Sequence, residues 1–486
     1  MSSPAVESRP PDDPEPLLER DPTPERAAKI VWTLAWPAVA LNSLQTINSL
    51  LDAYFVQHLE NGAAAMTAMG SLTAFMFLFG SMTMMMGTAS TAFVARFFGA
   101  KEEVEMRKAA RQTLSVAFYL GLILLALATP GAYLAADKFV PDSSPEAKIL
   151  TVRYLQIFAL GLPALNLIQA LAGCLRGIGD TKSPMYLSGA QIILHILLNY
   201  MLIGPGHQLG AVWLPGANWG MPGAAAALTI SSWTAALIYL WWTSRTELRT
   251  AMRFPLPSWD WTRRILKIAI PSGFLNILRV TSLMAFTLIL KEVPQNTAAL
   301  AAIRPAFSIE SMAFMPAFGL AVSAAALVGQ SLGMKDPDRA NRLAWTAGHH
   351  AAGVSMIMAI ILFVFASPIA HSVLSNQPAA AEMAAQYIRF IALTEVFFAY
   401  GMVMIGGMQG AGDTVVPLWL TFAVMWCVRV PLAAFFALDP NHLFPGSPGM
   451  SMGADGCWLA MSATQLVQGI ASMVLFKLGR WRTVKI

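Results

Sequence analysis

The sequence predicts an all-α membrane protein: twelve transmembrane helices in two six-helix bundles, related by a pseudo-two-fold axis along the membrane normal. Three observations lead there: an apolar composition, a ladder of long hydrophobic runs, and a recurrence of motifs at a near-constant offset. Of 486 residues, 56% are hydrophobic and 12% are charged, with a mean hydropathy of +0.56. Soluble domains carry about 25% charged residues, so this chain lacks the polar surface that a soluble core of its size needs.

A helix crosses a bilayer with about 20 apolar residues. On that measure twelve spans are read, at 29–57, 63–97, 110–135, 148–175, 183–205, 221–243, 262–291, 297–332, 342–370, 382–409, 415–438 and 454–478. In lipid every backbone donor needs an internal partner, and runs this long exclude the alternating pattern of a barrel. The domain reading follows: a disordered tail over 1–27, a first lobe over 28–243, a linker over 244–260, a second lobe over 261–480, and a short C-terminus over 481–486. The tail is proline-rich and acidic, too polar to order, and has no apolar leader; the first span is expected to serve as the insertion signal.

Basic residues orient the spans. Of the 32 Lys and Arg, only Lys138, Lys148, Arg153 and Lys291 fall in odd-numbered connections, and Arg279, Arg304, Arg389 and Arg429 fall within spans. The others lie in the tails or the even-numbered connections, which places both termini in the cytoplasm and the protein in the cytoplasmic membrane. This bias also explains the net charge of +5, and no basic stripe with interleaved aromatics suggests nucleic acid.

The recurrence joins the spans into halves. Pro37 and Leu41-Asn42 return as Pro271 and Leu275-Asn276, and GAKE at Gly99 returns as GMKD at Gly333, all at an offset of 234. Tyr154 returns as Tyr387, GMPG at Gly220 as GADG at Gly453, and CLRGIGDTKSP at Cys174 as GMQGAGDTVVP at Gly407, all at 233. Six spans per half is an even number, so both halves insert the same way round and face each other across a central cavity, the plan of a transporter. In the repeated turn, glycines end one helix and Asp180 or Asp413 caps the next.

CLRGIGDTKSPM, LAWPAVALNSLQTINSLLDAYFV in the first span, FMPAFGLAVSAAALVGQSLGMKD in the eighth and GADGCWLA in the twelfth together resemble the multidrug and toxic compound extrusion (MATE) family over residues 29–478. The resemblance implies export of organic, often cationic, compounds against an inward H⁺ or Na⁺ gradient; the protein is expected to act as a monomer in the bilayer.

An ionisable residue within a span costs about 2.5–3.5 kcal/mol on insertion scales and marks a functional candidate. Gln45, Asn48 and Asp52 share one face of the first span, and Gln191, His195 and Asn199 form a second polar stripe on the fifth. The resemblance places Asp52 at the first-helix carboxylate used in cation coupling. Where many members carry Asn and then Asp on the fifth helix, this chain has His195 and Asn199. An imidazole beside a carboxylate suits a proton, whereas Na⁺ prefers several oxygen ligands. In the second half some members carry a seventh-helix Glu; here that place is Arg279, for which Glu310 or Glu395 is an expected partner. Asn166, Asn276 and Tyr400 complete the expected substrate-cavity residues alongside these three, with Phe158, Phe390 and a run of methionines on the second span as further lining candidates. Arg429 is expected to be structural.

No cofactor, metal or nucleic acid is expected beyond the coupling ion. The three cysteines match neither a disulfide nor a zinc pattern, and the chain has no P-loop, HExxH or GxSxG. An integral-membrane enzyme is thereby disfavoured. A lipid-linked precursor flippase of the same superfamily is the alternative transporter, set back by the small number of basic residues available for a cavity.

Overall fold

The computed structural model describes residues 22–57, 59, 62–140, 142–209, 212–249, 255–294, 296–442 and 447–486. The expected disordered tail falls largely outside these; α1 begins at Pro24, so the boundary at 27–28 lies inside its first turn. Three long helices follow the read spans closely: α1 (Pro24–Gln57), α2 (Gly62–Gly99) and α3 (Glu103–Phe139). The fourth span is broken into α4 (Pro145–Ala159) and α5 (Leu162–Gly177), bent by 47° where Gly161 and Pro163 interrupt it. The half closes with α6 (Lys182–Leu202) and α7 (Met221–Thr243).

The second half repeats the order: α8 (Trp259–Lys291), α9 (Asn296–Gly333), α10 (Pro337–Val373), a broken span of α11 (Pro378–Ala392) and α12 (Glu395–Gly410) bent by 59°, then α13 (Val415–Phe422) and α14 (Val430–Ala437), and finally α15 (Ala454–Leu478). Besides the two broken spans, two further features depart from the expected all-α, unbroken spans. An antiparallel hairpin, β1 (Pro205–Leu209) with β2 (Val212–Ala217), links the fifth and sixth spans where Gly204-Pro205 stops α6. A π-helical segment, Ala423–Arg429, joins α13 to α14 inside the eleventh span.

The repeat holds at the level of backbone geometry. Lys101 and Lys335 both take φ of 59°, Gly220 and Gly453 both 61°, and Gly179 and Gly412 take 90° and 88°. The two glycine turns thus require the left-handed region, which glycine enters without a Cβ penalty. Asp180 Oδ1 accepts from the Ser183 amide and Asp413 Oδ1 from the Val416 amide, as the caps require. Side chains repeat as well: Thr229 donates to the Ile157 carbonyl and Ser462 to the Phe390 carbonyl, each holding the last span of its lobe on the broken one.

The lobes exchange their leading helices. Val31, Leu34 and Ala35 of α1 pack in the second lobe among Leu320, Leu343 and Val403. Trp261, Ile265 and Ile268 of α8 pack in the first lobe among Phe93, Met106 and Leu171. The other buried clusters each draw on a single lobe. The lobes are therefore sealed at the face where α1 begins. There α2 and α9 cross with no room for side chains: a Cβ on Gly99 would stand 1.9 Å from the Gln330 carbonyl oxygen, and one on Gly333 2.0 Å from that of Arg96. Those two residues are repeat mates, and each donates across the seam, Arg96 to the Ala411 carbonyl (3.1 Å) and Gln330 to that of Gly177 (2.9 Å). Arg96 also reaches the Val484 carbonyl, and Arg264 that of Ile486, drawing the C-terminal residues into the seam.

Candidate functional site

Two places bring functional side chains together. The first is a nest between α1 and α6. Asn48 and Asp52 lie one turn apart on α1, and His195 and Asn199 one turn apart on α6, so the two helices set two polar pairs against each other. Asn199 Nδ2 donates to Asp52 Oδ1 at 2.6 Å, and Asn48 Nδ2 to Oδ2 at 3.3 Å. His195 Nδ1 lies 3.2 Å from Asn48 Oδ1 and its Nε2 3.8 Å from Asp52 Oδ1. The carboxylate thus has an amide on each oxygen and an imidazole within reach. His195 and Asn199 are buried, while Asp52 keeps 29% side-chain exposure. Gln191 stands apart, donating to Ser232 on α7 at 3.2 Å.

The second place is a cavity of about 220 Å³ between the lobes, next to the seam. Its walls obey the repeat. Met84, Gly87, Thr88 and Thr91 of α2 answer Phe318, Ala321, Val322 and Ala325 of α9, each pair 234 residues apart. Gln169, Ala172 and Arg176 of α5 answer Met402, Ile405 and Gln409 of α12 at 233. From α1 and α8 come Asn42 with Asn276, and Gln45 with Arg279. Gln45 therefore belongs to the cavity, one turn along α1 from the nest it was expected to join.

Several expected cavity residues lie elsewhere. Glu310 is enclosed within the second lobe, where it accepts from Tyr387 Oη at 2.5 Å and Gln465 Nε2 at 3.1 Å; it makes no ion pair with Arg279 among the described residues. Glu395 is also fully buried, at the start of α12, with neither oxygen hydrogen-bonded among the described residues. Asn166 is buried in α5 and donates to the Leu162 carbonyl. Tyr400 turns away to His349 on α10, 2.7 Å from its Nδ1, with Trp345 alongside. Phe158 stacks on Tyr154 in the first lobe's core, Phe390 packs in the second's, and among the described second-span methionines Met84 lines the cavity. In each case the helical face was legible but the packing partner was not. Arg429 donates from Nε to Thr464 Oγ1 at 2.8 Å inside the second lobe, the structural place expected of it. Arg176, at the end of α5 just before the glycine turn, lines the cavity; its position facing Gly87 across two helices gave no signal in the sequence.

Comparison with known proteins agrees with this architecture. Solved MATE transporters superpose over nearly the whole chain: one in complex with MaL6 gives a TM-score of 0.83 at 19% identity, covering 96% of this chain and 98% of that one. Another, described as an outward-facing multidrug resistance MATE transporter, gives 0.80 at 19% over 97% and 98%. A curated relative, the probable multidrug resistance protein NorM of Thermotoga maritima, is 26% identical over 96% of this chain and 95% of its own length. The MatE family model matches twice, over residues 37–201 and 271–435, ranges that differ by the repeat's own offset. With both halves matched, the chain belongs to the MatE family of multidrug efflux transporters.

Proposed function

We propose that this efflux transporter is a proton-driven antiporter of the cytoplasmic membrane, with both termini in the cytoplasm and Asp52 as the group that exchanges a proton for cargo. The observation that carries the reading is the Asp52 nest, in which one carboxylate is bracketed by Asn199, Asn48 and His195. His195 puts an imidazole where a hard cation wants oxygen, and both asparagines turn their amide nitrogens to Asp52. A protonated Asp52 loses its charge and keeps only one oxygen able to accept well, which weakens the α1–α6 hydrogen bonds. The same α1 lines the cavity through Ala38, Asn42 and Gln45, so a change at the nest is felt at the cargo wall within one helix. The positive-inside bias supports the orientation, and the sealed seam then faces the cytoplasm with the cavity beyond it.

The test is efflux by the purified protein in proteoliposomes under either a pH gradient or a Na⁺ gradient alone. Wild-type transport is expected with the pH gradient only, and Asp52→Asn is expected to lower it by at least about 100-fold. Na⁺-driven export without a pH gradient, or wild-type rates from Asp52→Asn, overturns the reading.

A further inference from the structure

Resting on the reading of this chain as an exporter through its interlobe cavity, we propose that the cargo is an organic anion: a small molecule bearing a carboxylate or phosphate, gripped between Arg176 of the first lobe and Arg279 of the second.

The cavity wall contains these two guanidinium groups and no Asp or Glu among the described residues. Its remaining polar lining is neutral, chiefly the amides Asn42, Gln45, Gln169 and Gln409. A cation entering such a space meets two like charges with nothing to offset them, while an anion meets guanidinium and amide donors. This reverses the cationic cargo that the family resemblance implies.

Both arginines have donors to spare. Arg279 makes no hydrogen bond or ion pair among the described residues, although acids lie elsewhere in its lobe. Arg176 donates from Nε to the Ala172 carbonyl of its own helix, and this leaves its Nη groups for the cavity. Room is made for that guanidinium: a Cβ on Gly87 would lie 3.1 Å from Arg176 Nη2, tighter than ordinary contact. Unpaired charge removed from bulk water is costly, and a visiting carboxylate or phosphate offsets that cost with bidentate hydrogen bonds. The repeat makes the placement specific. The mate of Arg279 is Gln45 and the mate of Arg176 is Gln409, all four lining the cavity, so each lobe supplies one guanidinium and one amide at different levels. Two arms from opposite lobes hold a ligand only while the lobes keep this arrangement, which ties occupancy to conformation.

Binding to the full-length protein in detergent, with no ion gradient, tests the cargo class separately from the coupling ion. Benzoate, phenyl phosphate and benzyltrimethylammonium share one ring and differ in head group. The expected result is that benzoate or phenyl phosphate binds at least about ten-fold more tightly than benzyltrimethylammonium, and the tighter anion identifies the head group. Arg279→Gln and Arg176→Gln should each weaken that anion about ten-fold. Arg279→Lys should recover much of the loss, and thermal unfolding confirms that each variant is folded. The proposal is overturned if benzyltrimethylammonium binds as tightly as both anions, if wild type binds neither anion, or if both Arg→Gln variants keep wild-type anion affinity. A failed pH-gradient assay with intact anion binding would instead indict the proton reading alone.

Discussion

The two lobes share a backbone but divide their chemistry. Repeat mates of the first-lobe nest are Phe286 for Asp52 and Ser282 for Asn48, both at 234. On the fifth and eleventh spans the offset itself changes. Ser188 and Thr421 are buried mates at 233, yet the buried residues beyond them, His195 with Arg429 and Asn199 with Ala433, match at 234. The π-helical segment Ala423–Arg429 lies between and absorbs the extra residue. One added residue therefore puts a guanidinium where the first lobe has an imidazole. Conversely, the second lobe's acids stand where the first has none: Glu310 answers Met76 and Glu395 answers Leu162. Pseudo-symmetry preserved glycine turns and helix crossings because these are geometric necessities; titratable groups were free to diverge.

That comparison can be broken at three points. The largest effect is expected from Glu310→Ala, which leaves the buried Tyr387 hydroxyl and Gln465 amide without their acceptor. Each orphaned group costs about 1–3 kcal/mol, so chemical or thermal unfolding should show a loss of several kcal/mol. Asp52→Ala, in the partly exposed nest, should lose far less stability while losing coupling. Equal losses in the two variants would erase the distinction between a structural and a working acid.

Next come Gly99→Val and Gly333→Val. Backbone oxygens at 1.9 and 2.0 Å block either Cβ, so each variant should be destabilised by about 1–3 kcal/mol or more and should open the seam. Spin labels on Val104 and Lys335, near the ends of the crossing helices, should report longer distances in both variants alike. An effect confined to one glycine would show that the crossing is not symmetric in energy.

The smallest effect is expected from Glu395→Leu, which installs the residue of its first-lobe mate. Both Glu395 oxygens lack a partner among the described residues, in a fully buried position. An apolar side chain there removes an unsatisfied polar group, and stability should rise by about 1 kcal/mol, read as a modest increase in melting temperature. A clear loss would mean that Glu395 has a partner in another conformation of the transport cycle.

Much of this was legible in the chain. The spans follow from the bilayer's thickness, so α1, α7 and α15 lie within a few residues of their expected limits. Asn48–Asp52 and His195–Asn199 were readable because i,i+4 spacing fixes a helical face before any partner is known. The same rule could not say that Gln45 would open onto the cavity, that Tyr400 would turn to His349, or that Glu310 would be claimed by Tyr387. Those outcomes depend on which helix stands opposite, and side-chain periodicity carries no such information. The hairpin at Pro205–Ala217 was missed because its short strands lie beside a glycine-proline stop that reads equally well as a loop.

Composition, basic-residue bias and a repeat offset by themselves determined twelve spans, two lobes and the carboxylate worth testing, since these rest on local hydrophobicity and helical period. Only the tertiary structure decided that α1 and α8 seed each other's lobes, that one π turn shifts Arg429 into register with His195, and that Arg176 and Arg279 share a cavity with no acid among the described residues. Each of these is a relation between residues distant in sequence, and packing two curved helical bundles against one another fixes it.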